Sequence, residues 1–250
     1  DHRDLHSFPT RRSSDLQSQN RIINNELRVI TTVNRKPSFY DYKYYNQFGI
    51  TNDLVDRFVK VVESFKIDGI SNPYYYTRHD PCYEYQVNDG CIKLYFPFRN
   101  KHTANRFITN NKCPLENLDN LTNTTYKLIV KSQKDKMLIL RLLKELRIND
   151  VGVYVIASET AKLPDDIVDV LRKTTKSQIY VMLDTDNTGL TSAIEYEKNY
   201  GFTALFMTKG YSAKDPTDLV RITDYNFVKK KFANMYLNEI VNGKERRVVS

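Results

Sequence analysis

The sequence predicts an α/β fold in which a parallel sheet with flanking helices follows a smaller, basic α+β subdomain. From about residue 123, apolar runs of strand length alternate regularly with helical stretches, which is typical of βαβ units. Two aspartates, Asp184 and Asp186, follow one of these runs, at the position where such sheets bind ligands. Before residue 122 the chain is rich in Tyr and Phe and has short, irregular elements.

The predicted elements of the second half follow one another closely. Strands are predicted at residues 127–130, 151–156, 178–183 and 203–206, and helices at residues 133–146, 164–172 and 188–200. Alternation of this kind makes the strands parallel and places the helices on the faces of the sheet. A last, Lys-rich helix is predicted at residues 225–240, most simply as a solvated helix.

The pattern divides the chain into five segments. Residues 1–16 are excluded from the fold, because residues 6–16 (HSFPTRRSSDL) resemble the translated read-through of a sequencing adaptor. Residues 17–36 carry little pattern and are predicted to be a linker. Residues 37–122 form the basic subdomain, residues 123–222 the α/β domain, and residues 223–250 a C-terminal helix and tail.

Composition narrows the class of protein. The 250 residues are 40% hydrophobic, enough for a core, and carry a net charge of +8. No apolar run approaches the roughly 20 residues that cross a bilayer, so we expect a cytoplasmic protein without membrane contact. The three cysteines lack a C-x-x-C spacing, which argues against a zinc ribbon. The positive charge favours nucleic acid as partner, although the Lys-rich and Asn-rich composition of AT-rich genomes explains it equally well.

Two acidic motifs predict a metal site. The first is LDTDNTG at residues 183–189. Residues two apart in an extended segment point to the same face, so Asp184 and Asp186 can hold one hard cation such as Mg²⁺ together. Gly189 then allows a backbone or a phosphate to approach closely. The second motif, KDPTD at residues 214–218, adds Asp215 and Asp218.

In their order and spacing these motifs resemble the Toprim domain of bacterial-type and phage DNA primases. The match consists of the strand at 128–130, the turn KSQKD at 131–135, and then LDTDNTG and KDPTD. Three earlier stretches, FGITNDLVDRF (48–58), IKLYFPFRN (92–100) and NRFITNN (105–111), are similar to the basic N-terminal subdomain of the same primase core. The resemblance covers residues 40–222.

The resemblance implies metal-dependent nucleotidyl transfer with Mg²⁺ or Mn²⁺ as the cofactor. The family holds its ions with an Asp-x-Asp pair and a later acidic residue. Asp184 and Asp186 match the pair, and Asp215 matches the later position. Asp135 matches a family aspartate on the first turn of the helix after the first strand, and we carry it over as a catalytic candidate.

The sequence departs from the family at Lys131, where the family has a glutamate. A charged lysine cannot ligate Mg²⁺, but its ammonium can contact a nucleotide phosphate or the DNA backbone from the same place. Catalysis is therefore expected to be altered or lost. Glu159, just after the predicted strand at 151–156, is expected to lie beside the first strand and to supply the missing carboxylate. The alternative is that Ser158 and Glu159 form an ordinary helix cap.

Four basic residues of the first half are predicted to contact a single-stranded DNA template: Lys93, Arg99, Lys101 and Arg106. They lie among aromatic residues, a combination that suits phosphate neutralisation and base stacking. Alternation in IKLYFPF is also an ordinary strand pattern, so we assign the aromatic residues to packing. The run YYY at residues 74–76 is predicted to be a strand edge.

The sequence thus predicts a primase core of phage-like character that makes short RNA primers on single-stranded DNA from NTPs. It contains no Walker A motif, so a replicative helicase would act from a separate chain. Two alternatives remain open. One is a catalytically silent Toprim protein that binds single-stranded DNA in the replisome, which the lysine at position 131 favours, and the other is a Toprim nuclease.

Overall fold

A computed structural model describes residues 29–70, 72–88, 90–100, 104–110, 113–116 and 121–243. These residues form two β-sheets, one antiparallel and one mostly parallel, with helices packed against both. The predicted adaptor segment, residues 17–28 of the predicted linker, Lys101 and residues 244–250 of the tail lie outside this part of the chain.

The first sheet is antiparallel and comes from the N-terminal half. Its strands are β1 (Ile30–Arg35), β2 (Lys60–Ile67), β3 (Tyr74–Tyr75), β4 (Cys82–Asn88), β5 (Cys91–Tyr95) and β6 (Phe107–Thr109). They lie in the order β1-β2-β4-β5-β6, and β3 also pairs with β2. Two helices, α1 (Phe39–Asn46) and α2 (Asn52–Phe58), supply Tyr44, Tyr45 and Val55 to a buried core with this sheet.

The prediction of a linker is wrong for residues 30–35, which form β1. Ile30 lies opposite Ile67 and Thr32 opposite Phe65 in an antiparallel ladder with β2. The β-branched residues of this stretch suit a pleated, half-buried surface. Only Ile30 is buried in the strand, so the sequence shows no clear alternation of apolar and polar positions from which to predict it.

The second sheet confirms the predicted parallel sheet. Its strands are β7 (Leu115–Glu116), β8 (Thr124–Val130), β9 (Val151–Ile156), β10 (Thr175–Met182) and β11 (Thr203–Ala204), in the order β11-β10-β8-β9-β7. All pairings are parallel except that of β7 with β9. The sequence did not predict β7, and the last strand ends at Ala204 rather than at residue 206.

Helices cover both faces of the second sheet. They are α3 (Gln133–Glu145), α4 (Asp165–Lys173), α5 (Asn187–Tyr200), α6 (Pro216–Ile222) and α7 (Tyr225–Met235), which continues as a π-helical segment (Tyr236–Val241). Leu128 and Val130 of the central strand β8 pack with α3, α6 and α7, whereas Ile129 packs with α4 and α5 on the other face. Because successive strand residues point to opposite faces and both faces are covered here, residues 128–130 of the strand are all apolar. The short helix α6 was not predicted.

The two sheets are joined along α3 and β7. Met137 of α3 belongs to the buried core of the first sheet. Arg141 donates a hydrogen bond of 2.8 Å from Nη1 to the carbonyl oxygen of Gly49, and Lys93 of β5 forms an ion pair with Glu116 of β7 at 2.8 Å. These contacts leave a cleft between the sheets. Among the described residues, the helices are all too short or too polar to cross a bilayer.

Candidate metal centre

The candidate site lies where β8, β9 and β10 end. Lys131 directly follows β8, Glu159 lies three residues beyond β9, and Asp184 lies two residues beyond β10. Asp186 is the N-cap of α5, and its carboxylate accepts a hydrogen bond of 3.1 Å from the backbone nitrogen of Gly189. Since the carboxyl ends of parallel strands meet at one edge of a sheet, residues distant in sequence come together there.

Glu159, Asp184 and Asp186 form a group that we call the acidic cluster. One carboxylate oxygen from each residue lies within 4.8 Å of those of the other two. Glu159 also orients the strand end, because its Oε1 accepts a hydrogen bond of 3.2 Å from the backbone nitrogen of Asp184. Carboxylate oxygens at this spacing are the ligands that Mg²⁺ and Mn²⁺ prefer. Glu159 lies beside the end of the first strand of this domain, 3.1 Å from Nζ of Lys131, and its role as the missing metal ligand stays a prediction.

Gly189 is required for this arrangement. A Cβ atom at position 189 would lie 2.2 Å from the backbone oxygen of Asp184 and 2.8 Å from its carbonyl carbon. Real side chains do not come so close to a backbone, so only glycine allows α5 to begin against the end of β10. The close approach predicted from the sequence is to this backbone.

Lys131 is in contact with the acidic cluster. Its Nζ lies 3.1 Å from Oε1 of Glu159 and also contacts Oδ2 of Asp184. Burial alone would lower the pKa of Lys131, but the hydrogen bond and charge of Asp184, together with the charge of Glu159, outweigh it and raise the pKa. The ammonium group is therefore charged and neutralises part of the cluster.

Asp184 is the most deeply buried carboxylate of the acidic cluster, with 3% of the residue exposed. Burial raises its pKa to about 6, even though the hydrogen bond and charge of Lys131 act in the opposite direction. Its second oxygen, Oδ1, is buried and has no hydrogen-bond partner. A buried acceptor without a donor is costly, and coordination of a cation would satisfy it. The acidic cluster therefore fits a divalent metal ion.

Asp186 is half-buried and has a different partner. Hydrogen bonding from the backbone of Gly189 lowers its pKa, and the ion pair with Lys214 adds to the effect. The Nζ atom of Lys214 lies 3.1 Å from Oδ2 of Asp186. Sequence reasoning assigned no role to Lys214, although it begins the KDPTD motif and so stands one residue before a predicted ligand.

Asp215 and Asp135 lie next to the acidic cluster but are not part of it. Asp215 is the N-cap of α6, and its Oδ1 accepts hydrogen bonds from the backbone nitrogen of Asp218 and from Oγ1 of Thr217. Asp135 is buried on the first turn of α3, where burial and the charge of Asp215 raise its pKa well above the ordinary value for aspartate. Direct metal ligation by Asp215 and a catalytic role for Asp135 stay predictions.

A cavity of about 490 Å³ opens beside the acidic cluster, between the two sheets. The first sheet contributes Lys93, Tyr95, Arg106 and Phe107 to its walls, and the second half contributes Lys131, Ser132, Lys134, Glu159 and Asp215. Phe107 is 53% exposed and stacks on Tyr95, with ring centroids 5.0 Å apart. Sequence reasoning assigned Phe107 to packing, because alternation does not reveal which residue lies at the open edge of a sheet.

The predicted DNA-binding residues are in two places. Lys93 and Arg106 line the cavity, where Lys93 pairs with Glu116 and Arg106 donates to the carbonyl oxygen of Pro97 at 3.1 Å. Arg99 is not among the cavity residues; it pairs with Asp80 at 2.6 Å and lies 3.3 Å above the ring of Phe96. Lys101 lies outside the described residues. DNA contact by these four residues stays a prediction.

Comparisons with known proteins show a shared fold. No family model and no curated protein matches the chain. The RNA polymerase domain of Mycobacterium tuberculosis primase DnaG in complex with double-stranded DNA is 10% identical, with a TM-score of 0.53 over 77% of this chain and 72% of that one. The same domain with a double-stranded oligomer carrying a 6-nucleotide overhang is 9% identical, with a TM-score of 0.50 over 76% and 71%. The chain therefore has the fold of a primase RNA polymerase domain.

A further structure, of bacteriophage T7 lagging-strand DNA polymerase with the primase domains of two gp4 subunits, is 11% identical over 81% of this chain and 96% of that one, with a TM-score of 0.49.

Proposed function

We propose that the protein is a Toprim-type DNA primase core of phage character, which makes short RNA primers on single-stranded DNA by metal-dependent nucleotidyl transfer. The acidic cluster carries the proposal: three carboxylates, one with a buried oxygen that lacks a donor, meet at the carboxyl edge of a parallel sheet beside a basic cleft. The primase fold supports primer synthesis over other reactions that such a site performs.

The carboxylates have distinct parts in this proposal. Held by Glu159, Asp184 and Asp186, a Mg²⁺ or Mn²⁺ ion would supply positive charge that activates a primer 3′-hydroxyl and offsets the charge of a triphosphate. The hydrogen bond from the Asp184 backbone to Glu159 keeps these two ligands in register. Asp215, on the cavity wall, is the candidate for an additional ligand. Asp135 supports the turn that carries Asp215, because it accepts a hydrogen bond of 3.4 Å from the backbone nitrogen of Thr217.

The cleft has suitable chemistry for nucleotides. Lys134 and Arg106 both line the cavity, and their positive charge would neutralise phosphates of an NTP or of the template. The exposed face of Phe107, supported by Tyr95, offers a surface on which a base can stack. A replicative helicase on a separate chain completes the proposed set of partners.

One observation favours a second candidate function. The ammonium of Lys131 contacts two of the three carboxylates of the acidic cluster. If the ammonium stays on these carboxylates, the acidic cluster binds no metal ion. Such a protein would be a catalytically silent, single-strand-binding component of a replisome.

A priming assay tests the proposal. The full chain is incubated with single-stranded DNA, labelled NTPs and Mg²⁺ or Mn²⁺, beside the double variant Asp184→Asn, Asp186→Asn. A second double variant, Asp165→Asn, Asp166→Asn, removes two exposed carboxylates from the first turn of α4 and controls for the change of net charge. Short RNA products from the wild type and the control, and none from the first variant, would support the proposal.

Other outcomes identify the alternatives. Retained DNA binding without RNA products in any metal would contradict primer synthesis and favour the silent protein. Metal-dependent shortening of the DNA template, lost in the Asp184→Asn, Asp186→Asn variant, would identify a nuclease.

A further inference from the structure

The place in the acidic cluster where a metal ion would bind is taken by the ammonium group of Lys131. The ammonium of Lys131 lies 3.1 Å from one oxygen of Glu159 and contacts one oxygen of Asp184. These are two of the three residues whose oxygens converge within 4.8 Å. A divalent ion must bind carboxylate oxygens directly, at about 2.1 Å for Mg²⁺. An ion that uses the same oxygens of Glu159 and Asp184 therefore takes the place of the ammonium group.

Two features suit this position to a cation that can exchange. Only 5% of the Asp184 side chain is exposed, and its Oδ1 atom is buried without a hydrogen-bond donor. The contact with Lys131 therefore leaves one buried oxygen of Asp184 unsatisfied. The side chain of Lys131, in contrast, is 34% exposed and lines the cleft. Its long, flexible stem can carry the charge from the acidic cluster to the cleft without exposing apolar surface.

We infer that Lys131 is an internal counter-ion of the acidic cluster, which a divalent metal ion displaces into the cleft when it binds Glu159, Asp184 and Asp186. The inference deepens the proposed function, on which it rests for the role of the metal. Without metal, the ammonium balances carboxylates that would otherwise repel one another. With metal, the displaced ammonium lies in the cleft that Lys131 lines, so binding of the metal adds a positive charge to the surface proposed for the nucleotide.

Competition of this kind has a measurable consequence. Replacing Lys131 by an uncharged residue of similar length removes the competitor but none of the ligands. Coupling energies between sites commonly correspond to 5- to 150-fold changes in affinity, and we expect Lys131→Met to bind Mn²⁺ at least about tenfold more tightly than the wild type. Lys131→Glu, which adds a carboxylate, is expected to bind more tightly still.

The test is a titration of the full chain with Mn²⁺ alone, in which free Mn²⁺ is measured by electron paramagnetic resonance. Lys229→Met is the matched control: Lys229 pairs with Glu145 at 2.7 Å and its side chain is 32% exposed, close to the value for Lys131, but it is not part of the acidic cluster. Tighter binding by Lys131→Met, wild-type binding by Lys229→Met and lost binding by Asp184→Asn would support the inference. Equal or weaker binding by Lys131→Met would overturn it.

A second measurement needs no variant and covers the case in which Lys131→Met does not fold. Wild-type protein is treated with an amine-acetylating reagent with and without Mn²⁺, and the labelled lysines are mapped by mass spectrometry. Labelling of Lys131 is expected to rise with Mn²⁺ while that of Lys229 stays constant; unchanged labelling of Lys131 would refute displacement. Neither readout requires primer synthesis, so failure of the inference and failure of the proposed function are distinguishable.

Discussion

In two ion pairs of this protein a carboxylate of similar burial lies beside a cation, but the pKa of one carboxylate is lowered and the pKa of the other is raised. In the first sheet, Asp41 pairs with Arg35 at 2.8 Å and 3% of its side chain is exposed. At the edge of the second sheet, Asp184 contacts Lys131 and 5% of its side chain is exposed. The pKa of Asp41 lies below its ordinary value, whereas the pKa of Asp184 is raised to about 6.

The difference lies in how many donors each carboxylate has. Oδ2 of Asp41 accepts hydrogen bonds from Arg35 and from the backbone and hydroxyl of Ser38, and Oδ1 accepts from Arg35 and Tyr83. Burial would raise the pKa of Asp41, but these donors outweigh it. Asp184 has Lys131 on one oxygen and no partner on the other. A carboxylate with all its donors stabilises the fold, whereas one that lacks a donor keeps the capacity to bind a ligand.

The largest effect on stability is expected at the fully bonded site. Asp41→Asn leaves the guanidinium of Arg35, with 17% of its side chain exposed, with only the more exposed carboxylate of Glu63 at 3.6 Å as a charged partner. We expect the free energy of unfolding at pH 7 to fall by about 3 kcal/mol, as for other broken buried pairs, measured by urea denaturation. Asp53→Asn, at an exposed aspartate 4.0 Å from Lys144, is the control and should unfold like the wild type. A loss no larger than that of the control would mean that the Arg35 pair does not stabilise the fold.

Gly189→Ala tests the close packing that holds the open site together. An alanine in a helix usually stabilises it relative to glycine. Here the new Cβ would lie 2.2 Å from the backbone oxygen of Asp184, so α5 must move away from β10. We expect a loss of about 2 kcal/mol, within the range for overpacked positions, and weaker Mn²⁺ binding. Thr188→Ala, at the exposed neighbouring position, should change neither quantity. Increased stability of Gly189→Ala would show that the helix tolerates a side chain there.

Of these substitutions, Asp184→Asn is expected to change the free energy of unfolding at pH 7 the least. Its effect on that free energy should depend on pH in the opposite direction from the effect of Asp41→Asn. Folding raises the pKa of Asp184 to about 6, so the ionised form costs stability at pH 7. The side chain of Lys131 is one-third exposed and keeps Glu159 as a partner, so the amide should change the free energy of unfolding by less than about 1 kcal/mol. The stabilising contribution of Asp184 to the folded state is fully present below the pKa that this group has in the unfolded chain, and it is lost as the pH rises through about 6. The wild type should therefore gain stability relative to Asp184→Asn between pH 7 and pH 4.

For Asp41 the sign is reversed. Its folded pKa is lowered, so its contribution is present above the unfolded pKa and is lost as the pH falls through the folded value. The difference between wild type and Asp41→Asn should therefore narrow below about pH 4, the usual range for aspartate. Urea denaturation of the three proteins from pH 3 to pH 7 measures both trends, and parallel curves would contradict the comparison of the two sites.

Much of the second half could be predicted from local pattern. The strand predicted at residues 151–156 has the same bounds as β9, and the helix predicted at 188–200 begins one residue earlier, at Asn187. The spacing of apolar residues distinguishes a helix from a strand and indicates which of its faces are buried. For the same reason Asp184 and Asp186 were expected at the end of a strand, and Gly189 where the backbone is crowded.

The rest depended on contacts between segments far apart in the chain. The strand β1 owes its place to pairing with β2, and Phe107 becomes an exposed wall of the cleft only because β6 pairs with β5. That the carboxylate of Asp215 caps α6 likewise could not be predicted, and its role as a ligand alongside the Asp-x-Asp pair stays a prediction. The sequence alone therefore determined which residues end the strands and carry the charges. Tertiary structure decided which charges meet, because strand pairing and helix packing, rather than neighbours in sequence, bring Lys131 to Glu159 and Asp184.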